Sequence, residues 1–516
     1  MDTNLASIGR AEEPGATQVP STPGDGAKVK APVTQWLGQR ALSLGAANAF
    51  DFAIQFLLPV VLARCLDAAA FGEYRLVWLV AGTVLAIATL SMPQSLYFYL
   101  PRSDVVTKRL HINQTLLFLV VAGLVSAWAV SAWNPWLPAK LQGLARHEAI
   151  VPMFILLWIV ASLLDVLPTA EERVTWQAKV TVSLALLRAV SLSAAAILTH
   201  ELVPVLMVLI AFVLFKLVLL VGYIARFHGL HGPALKWRAF TGQLFYAAPL
   251  GAAAALYGLR TQADQWVVAA LFPLGMFAAF SIAAVLGPIL NLFRQSVNFA
   301  FLPIMSRRES TGDITGLLEL NSRANIMVAA IVFPVFAFIF AFADEIVTLV
   351  YTAAYLDAAP VMRVYSVGIY ALVVELSALT MLLRQAVFVV GVNAVALVLG
   401  VALNWYAALH FGLVGAALGS TFVIHIDRVV TLWRISGITG VPIRRLQDWR
   451  SLSLLSLFAV ASGAFGWSVV EHYFYAHGPL LRVLIGGVSL SAVYLAIGLL
   501  SGMGRVWLSS VRTHSA

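Results

Sequence analysis

Residues 280–303 read FSIAAVLGPILNLFRQSVNFAFLP. This is an apolar run of membrane-spanning length with one charge, Arg294, in its interior. An arginine near the centre of a bilayer costs on the order of 3 kcal/mol on insertion scales, so such a residue normally faces a partner or a watery cavity, not lipid. Asn291, Arg294, Gln295 and Asn298 follow the spacing i, i+3, i+4, i+7, which places them on one stripe of a helix. A polar stripe on an otherwise apolar helix should face water or protein.

An earlier part of the chain carries a similar phrase. Gln94-Ser95-Leu96-Tyr97-Phe98-Tyr99-Leu100-Pro101 and Gln295-Ser296-Val297-Asn298-Phe299-Ala300-Phe301-Leu302-Pro303 share QS, a central Phe and LP, with one residue inserted. A second pair, Phe71-Gly72-Glu73-Tyr74 and Leu274-Gly275-Met276-Phe277, repeats at nearly the same offset. That offset spans six apolar stretches. An even number per unit gives two halves of parallel topology, related by an axis along the membrane normal.

Composition sets the class. Of 516 residues, 61% are hydrophobic and only 11% charged, against about 25% charged in ordinary globular chains. Mean hydropathy is +0.89. The fold class expected is an all-α polytopic membrane protein. The net charge of +9 is scattered over loops, so nucleic acid is not an expected partner. Cys65 is the one cysteine, which excludes an internal disulfide and offers no cysteine metal cluster. No cofactor is implied.

Apolar stretches of about twenty residues can be read as fourteen spans, the first near 40–63 and the last near 480–503. The join near Arg384 is the weakest, and a count of thirteen stays open. The expected organisation is a disordered cytoplasmic tail over 1–35, a first lobe over 36–230 and a second over 231–440. Two further spans and a cytoplasmic C-terminus occupy 441–516. With the N-terminus inside, most of the 33 lysines and arginines fall in inside segments. The outside loops hold only Arg64, Arg75, Lys140, Arg146, Arg363 and Arg482. That bias places both ends in the cytoplasm. The outside loops are short, so none could fold as a separate catalytic domain, and an enzyme is not expected.

Ala63-Arg64-Cys65-Leu66 followed by Phe71-Gly72-Glu73-Tyr74 resembles the first extracellular turn of bacterial polysaccharide flippases. These are the O-antigen-type, Wzx-like exporters of the multidrug/oligosaccharidyl-lipid/polysaccharide superfamily. Asn404 with the passage Phe411-Gly412-Leu413-Val414-Gly415-Ala416-Ala417-Leu418-Gly419 is similar to that family's Asn…GxxGAAxG passage. The likeness covers roughly residues 36 to 505. It implies two six-helix lobes around a central cavity formed largely by spans 1, 2, 7 and 8, working by alternating access in the bacterial inner membrane. It also implies a cargo of sugars on a polyprenyl diphosphate, with H+ or Na+ as coupling ion and polymerase or export machinery as possible partners. The family has no invariant catalytic motif, so no residue role is carried over. A drug or peptidoglycan-precursor exporter of the same fold stays open, as does, more remotely, a polytopic polymerase or ligase.

Physics alone selects the candidate cavity residues. They are Asn48 and Asp51 in span 1, Gln94 in span 2, Arg260 and Asp264 in span 7, and Asn291, Arg294, Gln295 and Asn298 in span 8. A guanidinium is permanently charged and can hold phosphate oxygens bidentately, which suits Arg294 and Arg260 to the diphosphate. The competing structural reading has Arg260 and Asp264 pairing at i, i+4, and Asp51 pairing with an arginine of the opposite lobe. Asp51 and Glu375 could alternatively titrate in ion coupling. His425, Asp427 and Arg428 are expected to form an interhelical contact outside the cavity. Arg188 and Lys216 are open between snorkelling to lipid headgroups and adding charge to the lumen.

Overall fold

A run of about twenty apolar residues wound at about 1.5 Å per residue covers the roughly 30 Å of bilayer hydrocarbon, and this chain is cut into pieces of that length. The computed structural model describes residues 31–136, 149–229 and 232–501, and among them every regular element is helical. The first lobe comprises α1 (Ala31–Cys65), α2 (Ala68–Ala88), α3 (Met92–Tyr99), α4 (Val105–Val130) and α5 (Ile150–Ala161). It continues through short turns to α6 (Val174–Thr199) and α7 (Leu202–His228). The second comprises α8 (Trp237–Leu271), α9 (Leu274–Ala283), α10 (Leu286–Ser310), α11 (Ile314–Ala341), α12 (Ala343–Val350), α13 (Ala358–Leu372), α14 (Ser377–Leu382) and α15 (Ala386–Thr439). Then come α16 (Trp449–Tyr473) and α17 (Pro479–Leu500), which pack on each other and on α11.

The tail expected over 1–35 lies outside the described residues as far as residue 30, and α1 already begins at Ala31. Lys140 and Arg146 of an expected outside loop, and Arg505 and Arg512 of the C-terminus, also lie outside the described residues.

Eleven described helices are long and apolar enough to cross a membrane. Two further apolar stretches fall short for separate reasons. The eighth expected span is broken into α9 and α10 and diluted by its polar stripe, and the tenth is split into α13 and α14. α15 is a hairpin of two spans. Fourteen crossings are compatible with this arrangement.

The turn inside α15 explains the glycines of the Asn…GxxGAAxG passage. Gly412 has φ 63° and ψ −146°, a conformation close to glycine-only territory. Beyond it the helix runs back on itself. A Cβ on Gly415 would lie 1.9 Å from the Ala407 carbonyl oxygen, and one on Gly419 2.4 Å from Asn404 Oδ1. Asn404 Nδ2 donates to Ser420 Oγ at 3.1 Å, tying the two arms together. At loop ends, aspartates start helices in the usual way. Asp67 accepts from the Ala70 amide and Asp313 from the Gly316 amide, each at 2.8 Å.

Packing repeats along with the sequence. α1 lies on α6 as α8 lies on α15, α4 on α5 as α11 on α13, and α5 on α7 as α13 on α15. The second span of each lobe is broken, at Leu90–Ser91 and again at Ala284–Val285. The repeated glycines sit where the lobes meet. A Cβ on Gly72 would strike the Leu274 carbonyl oxygen at 2.1 Å, and Gly275 faces Ala68 across the same seam.

Gly415→Val should overpack the hairpin by about 1–3 kcal/mol or more. Gly437→Ala, with open space around it, should be neutral. Membrane abundance and the unfolding midpoint in detergent check this, the first variant falling in both and the second in neither.

Candidate functional site

Inside the second lobe, α8, α10, α13 and both arms of α15 enclose a cavity of about 410 Å³. Arg260, Arg294 and Arg428 line it together with Asp264 and Asn291. Apolar helices bring these charges into the bilayer region, and each must find a counter-charge or a hydrogen-bond partner there. Arg294 Nε lies 2.7 Å from Glu375 Oε2, and its Nη1 donates to the Leu372 carbonyl at 3.1 Å. The Glu375 side chain is only 2% exposed. Arg260 Nη2 is 3.0 Å from Asp427 Oδ2, and its Nη1 donates to Asn393 Oδ1 at 2.6 Å. Asp264 accepts from the Tyr365 hydroxyl at 2.5 Å. Arg428 makes no ion pair with a carboxylate among the described residues, and its buried Nε has no hydrogen-bond partner.

Two arginines are thus held by carboxylates at ion-pair distance, and a third guanidinium shares the electrostatic field of Glu375 without an ion pair of its own among the described residues. Such a lining can take an anion in two ways. Arg428 offers donors directly, and an incoming phosphate can compete with Glu375 for Arg294.

The first lobe has a counterpart of about 220 Å³ between α1, α2, α5, α6 and α7. Asp51 Oδ1 lies 2.9 Å from Arg188 Nη2, and Asp165 Oδ2 lies 2.7 Å from Lys216 Nζ. Gln55 Nε2 donates to the other Asp51 oxygen at 2.7 Å.

These positions revise several expectations. Arg260 and Asp264 do not pair along their own helix, because each has a nearer partner on α15 or α13. Asp51 pairs within its own lobe, and Arg188 and Lys216 face inward to acids, not outward to headgroups. Arg428 lines the cavity instead of lying outside it, and Asp427 is the counter-charge of Arg260. The charged cavity lies within a lobe, whereas the expectation had put it between lobes. Of the candidates, Arg294, Arg260, Asp264 and Asn291 come together; Asp51 sits in the other pocket. Asn48, Gln94, Gln295 and Asn298 line neither, and the first three are exposed. Tyr365 and Asn393 carry nothing in their local sequence that marks them as neighbours of Asp264 and Arg260.

The lobes touch unequally. At the end where α1 finishes, Arg64 Nε donates to the Val350 carbonyl at 2.9 Å and Arg75 Nε to Ser281 Oγ at 3.0 Å. At the other end, Gln243 of α8 enters a buried polar knot. Its Nε2 donates to Ser95 Oγ and Thr115 Oγ1, each at 2.8 Å, and its Oε1 accepts from Gln114 at 2.6 Å. α8 is therefore fastened to α3 and α4. α10 packs on α11, α13 and α14 of its own lobe, α1 packs chiefly on α6, and Gln295 and Ser296 are exposed.

A family model described as "Polysaccharide biosynthesis protein" matches residues 61–360, more than half of the chain. The chain belongs to that family. No curated protein matches it. Among solved structures, the lipid II flippase MurJ in an inward closed conformation is similar over 90% of this chain and 99% of its own, with TM-score 0.69 at 13% identity. An inward-facing multidrug resistance MATE family transporter of the MOP superfamily is similar over 76% and 96%, with TM-score 0.56 at 13% identity. A Vibrio cholerae MATE transporter, VcmN, is similar over 80% and 98%, with TM-score 0.51 at 11% identity. At these identities the likeness establishes the fold alone: this polysaccharide biosynthesis family member shares the fold of those flippase and transporter structures.

Arg294→Ala should strand the buried Glu375 carboxylate, at a cost of about 3–5 kcal/mol. Replacing both partners, Arg294→Met with Glu375→Leu, removes both charges and should restore abundance and unfolding midpoint. A single alanine variant as stable as the wild type would show that the pair does not hold α10 to the α13–α14 segment.

Proposed function

We propose that this membrane flippase passes an oligosaccharide linked to a polyprenyl diphosphate across the bacterial inner membrane. Sugars and diphosphate travel through the protein while the lipid tail stays in the bilayer. The observation that carries this is the arginine-lined cavity, where Arg428 has no carboxylate at ion-pair distance among the described residues and Arg294 is held by Glu375. The family's description supports polysaccharide cargo.

No bond is made or broken. The anion must be held without being trapped, so the two access states should bind it about equally. Equal affinity shifts no population, so direction comes from an H+ or Na+ gradient, the membrane potential or removal of product. Both termini lie in the cytoplasm, where the lipid-linked unit is made. Contacts such as Arg64 to Val350 close the far side in this state and must open for release. The MurJ-like fold favours lipid II as the second reading of the cargo.

The charge-free pair variant, Arg294→Met with Glu375→Leu, separates structure from transport. It should reach the membrane at wild-type abundance yet fail to export polysaccharide, with lipid-linked oligosaccharide accumulating on the inner leaflet. Arg294→Lys should retain partial export, since an ammonium lacks the planar fork. Normal export by the pair variant would remove Arg294 from the mechanism. Accumulation of lipid II with normal polysaccharide would establish the second reading.

A further inference from the structure

The first-lobe pocket is a separate, built chamber that anion transport does not use. Its two cations are already neutralised, Arg188 by Asp51 and Lys216 by Asp165, so its lining has no net formal charge to draw a phosphate. A metal cation is opposed by the same permanent guanidinium and the adjoining ammonium. Yet polar capacity is left over in both senses. Among the described residues, Arg188 Nε is a buried donor with no partner, and Gln177 Oε1 a buried acceptor with none. Both residues are more than nine-tenths buried. Gln177 spends only its nitrogen, in a long 3.4 Å contact to Thr181 Oγ1. Turning the amide over would merely leave its other end free.

Trp78 and Trp158 supply apolar wall, and Asp165 stands at the mouth with its side chain 54% exposed. The volume of about 220 Å³ leaves room for one small ring.

A neutral ligand rich in hydroxyls answers these features together. Each hydroxyl both donates and accepts, so one ring can satisfy the Arg188 N–H and the Gln177 oxygen while its carbon skeleton lies against indole. We infer that the first-lobe pocket binds a single neutral monosaccharide unit, so that one lobe reads sugar and the other holds charge. The inference rests on the proposed function for the sugar nature of the cargo.

The test uses full-length protein in lipid nanodiscs, with methyl glucoside, methyl galactoside and N-acetylglucosamine as probes in saturation-transfer NMR. At least one should give a saturable signal in the millimolar range. Gln177→Leu should weaken it about tenfold, the effect of one lost buried hydrogen bond. Ala185→Leu, which fills the pocket from its wall, should abolish it. Size-exclusion profiles and unfolding midpoints identify which variants are folded.

No saturable signal from any probe would mean a pocket filled with water only and would overturn the inference. A signal unchanged in both folded variants would place the sugar elsewhere and overturn it too. The outcomes stay distinct from those of the export assay. Sugar binding here with normal export by the Arg294/Glu375 pair variant keeps this inference and removes the anion role, and the reverse result does the opposite.

Discussion

A guanidinium buried among apolar helices has to be matched by something, and that requirement shapes both lobes. Arg294 is tolerated on α10 because Glu375 comes to 2.7 Å from it out of the loop between α13 and α14. Arg260 is tolerated on α8 because Asp427 and Asn393 reach it from the two arms of α15. Each pair joins elements far apart in sequence, so the charges that make a cavity wet also cross-brace its walls. A buried pair adds little net stability over apolar residues of the same shape. Its retention here fits a working surface better than a structural economy.

The two lobes solve the same problem with opposite polarity. In the first, the leading helix carries the acid, Asp51, and α6 the base. In the second, the leading helix carries the base, Arg260, and α15 the acid. In the first pocket each base has one acid at ion-pair distance, while in the second Asp264 is bonded to a tyrosine and Arg428 has no carboxylate at that distance among the described residues.

The seams between the lobes are unequal as well. The QS phrase is used twice, once as part of the knot around Gln243 and once on an exposed face of α10. The same phrase thus serves as a buried joint between lobes in one half and as exposed surface in the other.

Hydropathy, the polar stripe around Arg294 and the doubled phrases made the membrane class, the repeat and the family resemblance legible from the amino-acid sequence alone. Span length follows from bilayer thickness, and glycines such as Gly412 and Gly415 mark where backbones turn or touch. Insertion cost alone also says that Arg294 cannot face acyl chains. What faces it instead was decided by the tertiary structure. Spacing rules reach one helix at a time, which is why they offered Asp264 to Arg260 and missed Asp427. Which side chains meet depends on how each helix is rotated and which neighbour it leans on. Those are set by packing summed over whole lobes, and no local stretch of sequence carries that information.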